Sequence, residues 1–363
     1  MTALKGFRKI GVGLSGKFSI GEVVELAQDA EALGFNSFWL AEGYHTNSAI
    51  VAATTVAAKT SRIEIGLGIL SPHTKHPALM AMEAATLDEA SQGRVILGVG
   101  KVRSALQKHG LQEVGAVRVV REAIAIIRKF FDGELVEYDG TVFKIASPGS
   151  QLGFTPYRKH LPIYVGATGP LMLRLAGHYA DGVIFNYPCT RDYIGYALPL
   201  LEEGLRRSGR TLDDFNVAAY LLVSIDEDEK KALAIAKEFV AQKLPTRHPL
   251  MLQHAQVSDE EANLVKSRVE QLGWHKVAPE LSDELVRKLT IVGTPDQVVH
   301  GLKQFVGSGL KLPIVWHIMG PNRRHSLRLI ARDVMPQLIE TFEDIAHTDK
   351  TASNQLTAKR NND

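Results

Sequence analysis

The chain has 363 residues, of which 45% are hydrophobic, and α/β barrels of this size form a single domain with one large core. A formal charge of +2, with no block of like charges, excludes an extended nucleic-acid or membrane-binding surface. The single cysteine, Cys189, excludes an internal disulfide framework and is predicted to be structural. The N-terminus lacks the apolar region of a signal peptide, and no apolar run has the roughly 18 to 20 residues of a membrane span. We therefore expect a soluble, cytoplasmic protein.

Eight times along the chain, a short run of Val, Ile, Leu and Gly is followed by a stretch with helical periodicity. The predicted strands are Lys9–Leu14, Ser37–Ala41, Arg62–Leu70, Val95–Val99, Ile163–Gly166, Gly182–Asn186, Val217–Ile225 and Ile314–Ile318. The first helices are predicted at about Ser19–Leu33, Ala49–Ala58, from Pro77, and at about Val117–Phe131. This eightfold alternation of strand and helix patterns predicts an α/β protein with a (β/α)8 TIM-barrel fold. Glycines end the first, third, fourth and fifth strands, which favours the approach of a large, flat, phosphate-bearing cofactor to the backbone.

Two segments interrupt the eightfold pattern. Residues Leu135 to Ile145, after the fourth helix, are predicted to form a hairpin with Asp139-Gly140 as its turn. Residues 246–292, between the seventh and eighth strands, are polar and too long for one connection, so they form either a functional insertion or lid or an exposed helical excursion. We expect one barrel domain over residues 1–346 and a disordered polar tail over residues 347–363.

A competing fold is suggested by Gly11, Gly13 and Gly16, which match the G-x-G-x-x-G pattern of dinucleotide-binding folds after a strand. Glu42, at the end of the next strand, occupies the place of a ribose-binding acid in such a fold. However, those sheets are built from six strands, whereas this chain has eight strand and helix pairs and repeats the glycine-rich endings. The barrel is therefore the preferred prediction.

The segment Gly166-Ala167-Thr168-Gly169-Pro170 joins a strand end to a helix N-terminus. Free backbone N–H groups and the helix dipole converge there, so the segment can receive an anion. The alternative is an ordinary βα turn before a helix that starts with proline.

Glu42 is predicted to be catalytic, because barrel enzymes place reactive groups at the carboxyl ends of their strands. A salt bridge or a helix cap is the structural alternative. His317, near the end of the eighth strand, either contacts the substrate or packs in the core. His73 and His76 are three residues apart, but no further ligand completes a metal set, so no metal is expected.

Four segments carry a family resemblance: Trp39–His45, Gly66–Gly100, Leu161–Asn186 and Thr294–Val299. With them the chain resembles the bacterial luciferase-like flavin and deazaflavin oxidoreductases, most of all the coenzyme F420 branch typified by methylenetetrahydromethanopterin reductase. The resemblance implies hydride transfer through the ring C5 of F420, and its typical member implies a methylene group on a pterin carrier as the acceptor. It leaves FMN as the alternative cofactor, in a luciferase-like monooxygenase.

The resemblance also assigns cofactor-binding positions. It implies a non-proline cis peptide at Gly68-Ile69 behind the cofactor ring, and a phosphate site in the Gly166 loop with Thr168 as a hydroxyl donor. The full predicted cofactor set is Gly68, Ile69, Gly98, Gly100, Gly166, Ala167, Thr168 and Gly169.

The chain departs from the related sugar dehydrogenases after the fourth strand. Those enzymes carry a carboxylate there, whereas this chain has Lys101 and Arg103, which either bind an anionic cofactor tail or substrate or are solvated cations. The missing acid keeps open a non-catalytic flavin-binding protein of the same fold. The expected partners are a small-molecule substrate and further copies of this chain in a homo-oligomer.

Overall fold

The computed structural model describes residues 6–16, 18–43, 45–102, 106, 109–111 and 115–339, without the side chains of residues 147 and 148. Eight parallel strands form a closed barrel in the order β1-β2-β3-β4-β7-β8-β9-β11, and the pairing of β11 with β1 completes the circle. They are β1 Gly11–Leu14, β2 Ser37–Leu40, β3 Glu64–Leu70, β4 Val95–Gly100, β7 Ile163–Gly166, β8 Gly182–Phe185, β9 Asn216–Ile225 and β11 Leu312–Met319. The predicted TIM barrel is confirmed.

Helices surround this barrel. They are α1 Ile20–Ala32, α2 Ala49–Lys59, α3 Pro77–Ala90, α4 Ala116–Asp132, α5 Pro170–Tyr179, α6 Arg191–Arg206, α7 Glu229–Lys243, α8 Pro249–His254, α9 Asp259–Leu272, α10 Trp274–Val277, α11 Asp283–Leu289, α12 Pro295–Lys303 and α13 Arg323–Leu329. Local sequence determines where several of them begin. Ser19 and Glu22 form a capping box at α1, and His76 caps α3 by accepting the N–H of Ala78 through Nδ1 at 3.2 Å. None of the helices in the described part of the chain has the length and apolar character that crossing a membrane requires.

The predicted hairpin is present as β5 Val136–Asp139 and β6 Lys144–Ser150, which pair antiparallel. Its turn differs from the prediction, because Asp139 belongs to the strand and pairs with Lys144. The connection is four residues long, and the buried carboxylate of Glu122 accepts the backbone N–H groups of Thr141, Val142 and Phe143. A partner from a distant helix thus sets a turn geometry that the dipeptide alone did not predict.

Residues 246–292 fold into α8 to α11 and lead into the short strand β10 Ile291–Gly293. β10 pairs with the C-terminal half of β9, beyond the stretch of β9 that pairs with β8. The segment packs on α7 around its own apolar cluster, which includes Ala236, Val240, Leu252, Val265, Val277 and Val286. These apolar side chains anchor the segment to α7. The overall polar composition of the segment did not predict this cluster.

Large aromatic side chains fill the barrel interior. Trp39, Tyr164, Tyr220 and Trp316 are all buried in one cluster. Glycines on neighbouring strands provide the space. A Cβ atom at Gly66 would overlap the ring of Trp39, and one at Gly13 would lie 2.5 Å from Cζ3 of Trp316. These strand glycines are therefore required by ring packing.

We predict that Gly66→Ala destabilises the fold by about 1–3 kcal/mol, because the added methyl group overpacks the Trp39 ring. Urea unfolding measures this change. The matched control is Gly195→Ala in the exposed interior of α6, where a Cβ meets no atom within 4 Å. It should instead stabilise the protein by about 0.5–1 kcal/mol, since alanine is the better helix former. Equal effects of the two substitutions would contradict the packing role of Gly66.

Candidate active site at the barrel mouth

The carboxyl end of β3 forms the floor of the barrel mouth. The Gly68-Ile69 peptide is cis, as the resemblance implies. The half-buried side chain of Ile69 lies in a cradle of three glycines on β4 and β7. A Cβ atom at Gly98 or Gly166 would approach Ile69 to 2.9 and 2.7 Å, and one at Gly100 would overlap its Cδ1. The predicted cofactor glycines thus hold Ile69 in place at the mouth.

Tyr220 supports the same peptide from inside the barrel. Its hydroxyl donates to the carbonyl oxygen of Gly68 at 2.9 Å, and its ring stacks on Trp316 with centroids 3.8 Å apart. Burial raises the pKa of the Tyr220 hydroxyl, so it stays a proton donor over the physiological range. β3, β9 and β11 together therefore fix one rigid floor.

The predicted anion loop lies where β7 ends and α5 begins. The N-cap of α5 is Gly169, and among the described residues no side chain caps this helix. A Cβ at Gly169 would meet no atom within 4 Å, so the helix N-terminus faces open space. Behind the loop, the buried Tyr193 of α6 donates its hydroxyl to the carbonyl oxygen of Thr168 at 2.8 Å. This bond engages the loop carbonyl from the protein side and leaves the helix N–H groups facing outward.

Glu42 lies two residues after the end of β2 and is half-buried. Its Oε2 accepts the backbone N–H of Ala49 at 3.2 Å, the first residue of α2. This contact is the helix-capping alternative that the sequence analysis left open. Within the described part of the chain, the other carboxylate oxygen receives no hydrogen bond, so Glu42 still has one oxygen for a ligand.

His317 lies near the end of β11, buried and with a left-handed backbone (φ 70°). Its Nε2 is 3.2 Å from the hydroxyl oxygen of Ser15, which follows β1. Burial, followed by the positive charges of Lys243, Arg323 and Arg247, lowers the pKa of His317 from 6.5 to about 3. The imidazole is therefore neutral at physiological pH, and with Nε2 in contact with Ser15 its other ring nitrogen can donate or accept one hydrogen bond.

The remaining predicted positions are placed as follows. Lys101 is half-buried directly after β4, whereas Arg103 lies outside the described residues. A cleft of about 490 Å³ opens between the loops after β1 and β2, lined by Phe18, Ser19, His45, Thr46 and Asn47.

One group of potential metal ligands was not predicted. The ligand atoms of Asp226, Glu227 and His325 lie within 4.8 Å of one another, next to the end of β9. His325 Nε2 is 3.0 and 2.8 Å from the two carboxylate oxygens of Glu227, so this contact links β9 to α13.

Three residues of the mouth were missed by sequence reasoning: Tyr193, Tyr220 and Arg247. The two tyrosines lie on a helix and a strand whose apolar patterns resemble ordinary core. Arg247 lies in the insertion, where charged residues are common. Their partners are 25 to 152 positions away or depend on how the insertion packs, so no local pattern marks them.

A closed barrel with a rigid floor at its carboxyl end is a scaffold on which many enzymes carry their ligand-binding and catalytic sites. The chain matches the luciferase-like monooxygenase family over residues 6–312, and it belongs to that family. The predicted resemblance is confirmed.

Relatives of nearly full length refine this assignment. The chain is 32% identical to 5,10-methylenetetrahydromethanopterin reductase of Archaeoglobus fulgidus, over 87% of this chain and 94% of the relative. It is 31% identical to F420-dependent glucose-6-phosphate dehydrogenase of Microbacterium testaceum, over 90% and 96%. The structure of the coenzyme F420-dependent tetrahydromethanopterin reductase of Methanopyrus kandleri superposes with a TM-score of 0.85 at 29% identity, covering 92% of this chain and 99% of that one.

We predict that His317 contributes to acid sensitivity. The unfolded chain protonates this histidine near pH 6.5, whereas the folded protein does so only near pH 3. Between these values the unfolded state binds one more proton, so the free energy of unfolding falls by up to about 1.4 kcal/mol for each pH unit of acidification. His317→Asn, which tolerates the left-handed backbone, should make this pH dependence shallower by that amount.

Urea unfolding of the wild type and of His317→Asn between pH 6.5 and pH 4 measures the two slopes. The difference between slopes removes the contributions of all other titrating groups. Parallel stability curves for the two proteins would show that His317 titrates normally.

Proposed function

We propose that this chain is an F420-dependent oxidoreductase that binds the deazaflavin at the barrel mouth and reduces a methylene group on a pterin-type carrier. The observation that carries the proposal is the nearly full-length match to relatives named for reactions of this kind. When bound, F420 supplies the hydride through its ring C5. The protein contributes binding, orientation and exclusion of water. Its oligomeric state and its cytoplasmic location stay predictions.

The residues at the mouth fit such a cofactor. The ring would lie on the floor made by Gly68 and Ile69, because the aromatic side chains below leave no deeper space. The phosphate would lie at the uncapped N-terminus of α5, where Gly169 leaves room and Thr168 adds a hydroxyl. Gly98, Gly100 and Gly166 would act through Ile69, which they hold in place.

Three polar side chains would face the reacting groups in this proposal. Glu42 has one oxygen bound to α2 and one to offer, and the neutral His317 can donate or accept a hydrogen bond. Lys101, at the end of β4, would contribute positive charge near the cofactor or substrate. Arg103 is assigned the same role from the sequence alone.

The test is an absorption titration of the purified protein with F420 and with FMN. We expect F420 to bind more tightly, since the relatives at 31 to 32% identity include an enzyme named F420-dependent. Gly169→Val should weaken F420 binding strongly, because its branched side chain enters the space assigned to the phosphate without touching the protein.

The control is Gly153→Val, at an exposed loop position where a Cβ also meets no atom within 4 Å. It should leave the F420 affinity unchanged. An F420 fragment without its phosphate should bind more weakly than F420, but with equal affinity to the wild type and to Gly169→Val. Tight binding of FMN with none of F420 would overturn the proposal, and unchanged F420 binding by Gly169→Val would move the phosphate elsewhere.

We predict that Glu42→Gln lowers turnover by about 10²-fold to 10⁴-fold, the range typical of lost acid–base assistance. Glutamine keeps an oxygen that can accept the N–H of Ala49, so stability and F420 affinity should stay close to those of the wild type. Steady-state kinetics and thermal unfolding measure the two effects separately. Unchanged turnover would assign Glu42 to the capping of α2.

A further inference from the structure

Three aromatic side chains form a wall at the mouth beside the floor. The ring centroids of Tyr187 and Phe239 are 5.7 Å apart, and that of His317 lies 6.3 Å from Tyr187 and 4.7 Å from Phe239. Tyr187 follows β8, Phe239 lies on α7 and His317 lies on β11. The wall therefore joins the helix that carries the insertion to two barrel strands.

Positive side chains lie on this wall. The guanidinium carbon of Arg247 is 4.4 Å from the ring centroid of Tyr187, and Lys243 Nζ is 6.0 Å from that of Phe239. The Nε of Arg247 donates to the carbonyl oxygen of Lys243 at 3.1 Å, and Nη2 donates to the hydroxyl of Thr246 at 3.0 Å. These bonds orient the guanidinium and use two of its five N–H donors. Three donors are left for a ligand.

A third cation comes from a different part of the chain. The guanidinium carbon of Arg323, at the start of α13, lies 5.0 Å from the ring centroid of Phe18. Within the described part of the chain, Arg247 forms no ion pair with a carboxylate, whereas Arg323 feels the negative charge of Glu22, which opposes the lowering of its pKa by burial. Both arginines and Lys243 act on the same imidazole, that of His317, whose pKa they lower in addition to the effect of burial.

Arg247 keeps N–H donors for a ligand and lies among other positive side chains, so an anion that enters beside it is stabilised by their charge. Guanidinium groups match the oxygens of phosphates and carboxylates through paired N–H donors. This cluster and the loop at Gly169 belong to different elements, since its cations lie on or beside α7 and α13 and the loop begins α5. If both bind anions, the mouth has two positions for negative charge.

We propose that Arg247, Lys243 and Arg323 form a substrate subsite that binds an anionic group, a phosphate or a carboxylate, beside His317. That the bound anion belongs to the substrate depends on the proposed function, whereas anion binding itself depends only on the cluster. In this proposal the α5 loop binds the cofactor phosphate, and the cluster selects substrates that carry negative charge.

The test uses calorimetric titration of the F420-loaded protein with inorganic phosphate and, separately, with glutarate, at constant ionic strength. Loading with F420 fills the α5 loop, so the added anion reports on the cluster. We expect at least one of the two to bind, and the stronger one identifies the kind of anionic group. Arg247→Gln should weaken that binding by about 10-fold, the value of one charged hydrogen-bond pair, with F420 affinity unchanged. Arg247→Lys, which keeps the charge, should lose less.

Arg287→Gln is the matched control, because Arg287 is another arginine beside α7, where it pairs with Glu229. It should leave anion binding unchanged. Absence of binding for both anions, or equal losses in the two Gln variants, overturns the subsite. Loss of F420 affinity in Arg247→Gln also overturns it, by assigning the cations to the cofactor. If F420 itself fails to bind, the proposed function fails at the loading step, and the comparison of Arg247→Gln with Arg287→Gln on the unloaded protein still decides the subsite.

Discussion

The packing of large aromatic rings against strand glycines is the constraint on which the rest of the barrel depends. Trp39 and Trp316 occupy the space that a side chain at Gly66 or Gly13 would need. The rings therefore pack closely against the strand backbone inside the barrel. The proposed chemistry belongs at the carboxyl ends of the strands, where barrel enzymes place it.

The same packing supports the mouth. Tyr220 belongs to the aromatic core and also donates to the carbonyl of Gly68, so the core and the floor form one unit. Ile69 then lies in its glycine cradle on β4 and β7. Tyr193 plays a comparable part for the anion loop, since it ties Thr168 to α6. Backbone atoms of the floor and of the loop are thus held by buried tyrosine side chains, which is how precise geometry is maintained at a site.

The insertion, residues 246–292, packs on α7 and also brings the positive charge of Arg247 to the mouth. Its apolar cluster with α7 anchors it, and α7 in turn carries Phe239 to the imidazole of His317. Arg247 lies four residues after the end of α7 and packs on Tyr187. The mouth thus combines a neutral histidine near cations with a helix N-terminus that no described side chain caps.

The amino-acid sequence by itself determined the barrel, its strand limits to within two residues, several helix starts, the family and, through the resemblance, the cis bond at Gly68-Ile69. The strands and helix starts depend on short-range periodicity and on capping residues. The family resemblance depends on continuous segments of sequence.

Only the tertiary structure decided what the strand glycines contact, how Glu122 shapes the hairpin turn, that Glu42 caps α2, and which cations surround His317. Each of these depends on contacts beyond the reach of local periodicity, from the seven positions between Glu42 and Ala49 to contacts between different strands of the barrel. Local pattern reports the neighbours of a residue along the chain, whereas packing, desolvation and charge depend on its neighbours in space.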